Sequence, residues 1–244
     1  MTVDDTVRRQ FAPSGTLIVG VNLGNPIIVK PGSEVGEPQG IGPSLGKELA
    51  RRLGLPFRFV KYETAGKLAA AVRGPEWDVA FLAIDPDRAA EIDFTDAYVH
   101  IEGAYMVPAA SAIRTVDEVD RPGVRIAVGA RSAYDLHLTR HIKHATIQRY
   151  AEFGPSLDAF QAEQLEVIAG IHQPLQHAAE RLGGLRVLDG SFMTIRQASA
   201  VPKGRPQAHA FLAEFIEDVK RSGFAAETLR ASGVDGATVA PPRG

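Results

Sequence analysis

The 244-residue chain contains no cysteine, one tryptophan and three methionines. Without cysteine it has no disulfide framework, no thiol nucleophile and no thiolate metal site. It also lacks any uninterrupted apolar run of about 18 residues, the length a membrane-spanning helix needs. Net charge is nearly absent, since 27 Lys and Arg against 29 Asp and Glu leave −2, with a pI near 6.4. No block of like charges breaks that balance, which removes the electrostatic footprint of a nucleic-acid binder. The opening MTVDDTVRRQFAPSG has acids at Asp4 and Asp5 and no apolar core before Phe11. A secretory signal needs a basic start followed by an apolar stretch, so none is read here. That leaves two possibilities, a chain that stays in the cell or one that begins after a removed signal. Neither G-x-G-x-x-G after a strand nor G-x-x-x-x-G-K-[ST] occurs, so no dinucleotide or nucleotide cofactor is expected.

What remains is an ordinary globular composition, 45% hydrophobic and 23% charged, of a length that suits one large α/β domain or two lobes. Short apolar runs alternate with amphipathic stretches. Strands are expected at Thr16–Asn22, Phe57–Tyr62, Val79–Ile84, Gly103–Pro108, Val124–Gly129, Thr146–Tyr150, Leu165–Ile171, Leu185–Leu188 and Ala198–Pro202. Helices are expected at Ser44–Leu53, Ala65–Val72, Pro86–Glu91, Ser132–Ile142, Ser156–Gln161, Pro174–Arg181 and Pro206–Ser222, with the tail ATVAPPRG disordered. Runs such as VAFLAI and TLIVGV are apolar throughout, as when helices cover both sheet faces. Strand–helix alternation of this kind predicts parallel α/β layers.

Four segments, in order, resemble the family 3 extracellular solute-binding proteins, the two-lobed periplasmic receptors for polar amino acids. GTLIVGVN has the look of "L-x-V-G-V", and GIGPSLGKELARRLGLPFRFV that of "G-F-D-x-D-L-A-x-x-L-A-x-x-L-G". WDVAFLAIDPDRAAEIDFTDAYV resembles "D-x-x-x-x-x-x-x-T-x-x-R-x-x-x-x-x-F-S-x-P-Y", and TVDEVDRPGVRIAVGARSAYD resembles "s-l-x-D-L-x-G-k-x-V-g-V-x-x-G-S". The resemblance spans about Gly15 to Gly233. It implies a type II periplasmic-binding-protein fold with two α/β lobes, a two-segment hinge and a ligand cleft between the lobes. Residues 1–107 and 198–244 are expected in lobe 1, and 108–197 in lobe 2. It further implies an ABC-type transporter receptor that binds a small carboxylate by hinge closure. Such a receptor is expected to be a periplasmic monomer, with a transporter permease as partner.

Arg88 stands just past VAFLAI, where α/β sheets present ligand-facing groups. Its guanidinium suits the two oxygens of a carboxylate, and in the resembling family the Arg of "T-x-x-R" holds the ligand's α-carboxylate. Asp85-Pro86-Asp87 reads better as a helix cap than as half a metal site. Ser132 is both a cap, with an acid three residues on, and a second carboxylate anchor at a helix N-terminus. Arg131 replaces the family's usual Gly and adds a positive charge. The family's ammonium contacts fall on Ala83 and near Ile171, which carry no acid. A buried ammonium would then lack a counter-charge unless Glu102 or Asp85 supplied it, so the amine half of the site looks rebuilt. Asn22, Leu23 and Asn25 end the first strand, and His172 and Gln173 end a later one; each is either a ligand contact or a satisfied loop residue.

Three other patterns carry less. Gly42–Gly46 spells G-x-S-x-G, but a polar loop precedes it where a nucleophile elbow needs an apolar strand, so Ser44 reads as a helix N-cap. His137, His141 and His144 recur at helical spacing with no acid beside them, which reads as a surface face rather than a metal site. Trp77, Phe94 and Tyr98 read as packing. Two further functions stay open: a cyclohexadienyl-dehydratase-like enzyme on the same fold, with His172 or Glu102 as the acid, and an intracellular solute sensor.

Overall fold

The computed structural model describes residues 3–30, 32 and 36–243. Met1 and part of the polar loop before Ile41 lie outside the described residues, as does the last residue of the tail. In chain order the elements are α1 (Asp5–Phe11), β1 (Leu17–Asn22), α2 (Ile41–Leu53), β2 (Phe57–Tyr62), α3 (Ala65–Ala70), β3 (Val79–Ala83), β4 (Ile92–Pro108), β5 (Arg125–Gly129) and α4 (Ala133–His141). There follow β6 (Thr146–Tyr150), α5 (Phe153–Ala162), β7 (Val167–Ile171), α6 (His172–Leu182), β8 (Leu185–Val187), β9 (Met193–Pro202), α7 (Pro206–Arg221), α8 (Phe224–Ala231) and β10 (Ala237–Val239).

The chain forms two compact units, Met1–His100 with Arg196–Gly244, and Ile101–Ile195. The changeovers fall inside β4, between His100 and Ile101, and inside β9, between Ile195 and Arg196. No turn residue interrupts either strand there, so nothing local in the sequence marks the crossing.

In the first unit β2, β1 and β3 run parallel, and β9 pairs antiparallel with β3. In the second, β6, β5 and β7 run parallel, and β4 pairs antiparallel with β7. The expected parallel layers therefore hold for three strands in each unit, while the two long shared strands are antiparallel to their neighbours. Every residue of β1, β3 and β7 is buried, as expected for strands covered on both faces. The first unit's core gathers Ile18, Leu68, Trp77, Ala80, Leu82 and Ala200, with Phe94 packed against it. Trp77 is fully buried and its indole N–H donates to the Leu68 carbonyl at 3.0 Å. The second unit's core gathers Met106, Leu157, Phe160, Ile168 and Leu175.

Several local expectations are corrected. Pro86–Glu91 is no α-helix; only a 3₁₀ turn forms at Arg88–Ala90. α2 begins three residues before Ser44, capped by Gly40 at φ 109°, so Ser44 is not the N-cap. Pro43 fits the first turn because no N–H partner is needed there. Gly46 is a packing glycine, since a Cβ there would lie 2.8 Å from Val19 Cγ1. The strand expected from Gly103 starts at Ile92, and the one expected from Ala198 starts at Met193. α1 and α8 were not foreseen.

The tail is ordered rather than disordered. β10 pairs with β4, the Ala240 N–H donates to the Tyr98 carbonyl at 3.0 Å, and the Arg243 N–H donates to Glu217 Oε2 at 2.7 Å. α1 is also tied down: Arg8 Nε donates to the Leu53 carbonyl at 2.9 Å, closing the end of α2. Gln10 Oε1 accepts the N–H groups of Gln207 and Ala208 at 2.9 and 3.0 Å, giving α7 the N-terminal cap that its own preceding residue lacks.

Candidate functional site

In the first unit the candidates gather at the C-terminal ends of β1 and β3, neighbouring parallel strands whose ends share one sheet edge. Asn22 and Asn25 are buried, and their side-chain oxygens accept the N–H groups of Gly24 at 3.0 Å and Ile27 at 3.1 Å. These Asx turns fold the chain back at the strand end. Leu23 is half-buried beside them. Asp85 is buried, and its Oδ1 accepts the Asp87 N–H at 2.9 Å while its carbonyl accepts that of Ala89 at 2.9 Å. This is an Asx turn ahead of the 3₁₀ turn, whose own N-cap is Asp87 with no side-chain cap, so Asp85 is not the expected helix cap. That turn points Arg88 back toward the strand. Its side chain is buried at 6% exposure, and Nη1 donates to the Ala83 carbonyl at 3.0 Å.

In the second unit the candidates occupy the C-terminal ends of β5 and β7, again neighbouring and parallel. Ser132 caps α4, its Oγ accepting the Asp135 N–H at 3.0 Å. Arg131 is exposed and holds φ at 59°, a left-handed conformation that explains why the resembling family prefers Gly there. Its N–H donates to Asp135 Oδ2 at 2.7 Å, while Arg149 Nε donates to Asp135 Oδ1 at 2.9 Å. Burial pushes the neighbouring Tyr134 hydroxyl up to about 12. His172 and Gln173 are half-buried in the first turn of α6, directly after β7, and no side chain caps that helix. Ile171 is buried and apolar.

Two candidates are displaced. Glu102 is exposed on β4, so it supplies no buried counter-charge; the alternation of that long strand turns it outward. His137 and His141 stack at 4.0 Å on α4, but the helix ends at His141 and His144 lies beyond it, its N–H held by Asp120 at 2.7 Å. The three imidazoles therefore do not share a helical face. No group of three or more metal-ligating side chains occurs among the described residues.

Two residues, Arg149 and Gln197, went unnoticed in the sequence. Asp135 is visible as the acid three after Ser132, but its partner Arg149 is not. Gln197, buried at 5% exposure directly across from Ala83, was placed outside its strand.

Residues 17–231 match the bacterial extracellular solute-binding proteins, family 3. The chain belongs to that family. α1 and β10 lie outside the matched span. No match was found among curated protein sequences. Among solved structures, this family 3 protein is similar to a mutant of ArgBP from T. maritima, at 19% identity and a TM-score of 0.76, over 93% of this chain and 99% of that one. A putative ABC-transporter binding component from Wolinella succinogenes, complexed with lysine, matches at 19% and 0.75, over 91% and 97%. The ancestral amino acid-binding protein AncCDT-1, a precursor of cyclohexadienyl dehydratase, matches at 20% and 0.75, over 93% and 99%. At these identities the likeness is one of fold. No helix of the described residues is long and apolar enough to cross a membrane.

Proposed function

We propose that this family 3 protein is the solute receptor of an ABC-type transporter and that it binds a small carboxylate, an amino acid or a related organic acid, by hinge closure. The observation that carries the reading is the buried Arg88 guanidinium at the C-terminal end of a parallel strand. Its donors are set by the Ala83 carbonyl and the Asp85 turn. A guanidinium that presents paired N–H groups in a site shielded from water is built for a carboxylate. We take Ser132, with the first turn of α4, as the second anchor; Asn22 and Asp85 stand at the strand ends of the first unit with Arg88, and Arg131 and His172 at those of the second with Ser132. Family membership and the lysine complexed by the Wolinella succinogenes neighbour support an amino acid or a close analogue. A permease partner, a periplasmic location and a non-catalytic role belong to the same proposal.

The test is a thermal-shift screen with amino acids, oxo acids and dicarboxylates, repeated on Arg88→Ala. A ligand at a hundredfold its Kd raises stability by about 2.7 kcal/mol. Loss of the bidentate pair is expected to cost at least ~2 kcal/mol, roughly thirtyfold in affinity. Wild-type affinity in Arg88→Ala would refute the site. The dehydratase alternative draws on one neighbour, itself named an amino acid-binding protein, and its candidate acid Glu102 is exposed. Turnover of prephenate or arogenate would favour it.

A further inference from the structure

Gln197 sits on β9 in register with Ala83 of β3. The pair is locked by the Ile84 N–H, which donates to the Arg196 carbonyl at 2.9 Å. Residues opposed in an antiparallel pair project from the same face of the sheet, so the Gln197 side chain rises beside the Ala83 methyl. At 5% exposure the carboxamide makes no hydrogen bond to any described residue. Neither of its polar atoms is among the fully buried, unpartnered side-chain atoms of the described residues, so the amide head still reaches solvent and is left for water or a ligand. On the same face Phe81 pairs with Ser199 and meets the Tyr98 ring edge-to-face at 6.0 Å. The amide therefore stands across from the residue whose carbonyl holds Arg88, next to a methyl.

We infer that Gln197 is a specificity-determining residue, whose carboxamide hydrogen-bonds a neutral polar group, a hydroxyl or an oxo group, on the acid whose carboxylate Arg88 holds. The inference rests on the Arg88 reading. A neutral amide offers two donors and one acceptor, which complement a hydroxyl or a carbonyl. It offers no charge to a ligand ammonium, and Ala83 on the same face adds none.

The experiment is calorimetric titration of the wild type, Gln197→Leu and Gln197→Glu with succinate, L-malate, 2-oxoglutarate and L-lysine, alongside the melting temperature of each ligand-free protein. The wild type is expected to bind malate or 2-oxoglutarate about tenfold or more tightly than succinate. Gln197→Leu should erase that preference, leave succinate unchanged and leave the ligand-free melting temperature near that of the wild type, because the amide bonds no part of the fold. Gln197→Glu, which keeps the size of the side chain, should lose the oxo and hydroxy acids and gain on lysine. It decides the matter if the Leu variant does not fold. An unchanged preference in both variants, an equal loss on all four probes, or a wild type that favours lysine overturns the inference alone. A wild type that binds none of the four, or an Arg88→Ala variant that binds them normally, overturns the functional reading and the inference together.

Discussion

Lys220→Met tests whether the ordered tail is an integral part of the first unit. Lys220 and Glu217 are ion-paired at 2.6 Å with side chains only 1% and 3% exposed. The ammonium also donates to the carbonyls of Pro241 at 3.1 Å and Ala97 at 3.4 Å. Glu217 Oε2 accepts the Arg243 N–H, so one buried pair fastens α7 to the tail and to β4. Removing the ammonium strands a carboxylate in the interior, which costs about 3–5 kcal/mol. For a chain of this size each kcal/mol moves the melting temperature about 2–4 °C, so a fall of roughly 6–20 °C is expected. Calorimetry should show the Lys220→Met, Glu217→Gln double variant losing less than the sum of the singles, because a neutral pair leaves no buried charge. Carboxypeptidase should trim the tail of Lys220→Met faster than that of the wild type. Burial alone would raise the Glu217 carboxyl, but the Lys220 and Arg243 contacts outweigh it and the net shift is downward. The pair's contribution is therefore full above the ordinary glutamate range and lost as pH falls through the lowered value. A melting temperature within about 2 °C of wild type, with the tail still protected, would refute the reasoning.

Asp135→Ala should cost about 2–4 kcal/mol in urea denaturation, since it removes both the acceptor of the Arg131 N–H and the partner of Arg149. The cost should shrink in an Arg131→Gly background, where φ 59° needs no holding. Glu48, lowered to about 2 chiefly by its hydrogen bond from Arg51, should lose its share of stability between about pH 4.5 and 2, as followed by acid titration of the melting temperature. Solvent at exposed Arg51 screens that share to on the order of 1–2 kcal/mol. Gln10→Ala should lower stability by about 1 kcal/mol, read by chemical denaturation, because α7 loses its borrowed cap.

The contrast between what was legible and what was not follows the range of the interactions. β1, β3 and β7 announce themselves because burial on both faces forces apolar runs, and the ends of β3 and β7 fix where Arg88 and His172 stand. That Asp85 folds the chain locally was legible because its partner lies two residues away, though it forms an Asx turn rather than a helix cap. The first half of β4 was missed because Asp93, Asp96, His100 and Glu102 interrupt its apolar pattern, and burial there depends on neighbours far along the chain. The ties that order the termini join Gln10 to Gln207 and Lys220 to Pro241. No local pattern announces such contacts, so α1 passed unread and the tail read as disordered.

Gln197 shows the same limit within the site. Ala198–Val201 reads as a strand from its own residues, whereas Gln197 becomes part of that strand only through its register with Ala83. A polar side chain at a strand's start looks like a loop residue until the opposing strand shows that it is buried. Residues that ligand recognition requires and folding does not are therefore the hardest to read from sequence, because they depart from the apolar pattern by which strands are recognised. For that reason the ligand-free stability of Gln197→Leu is as informative as its affinity: a side chain kept for folding should lower stability when replaced, and one kept for a ligand should leave it unchanged.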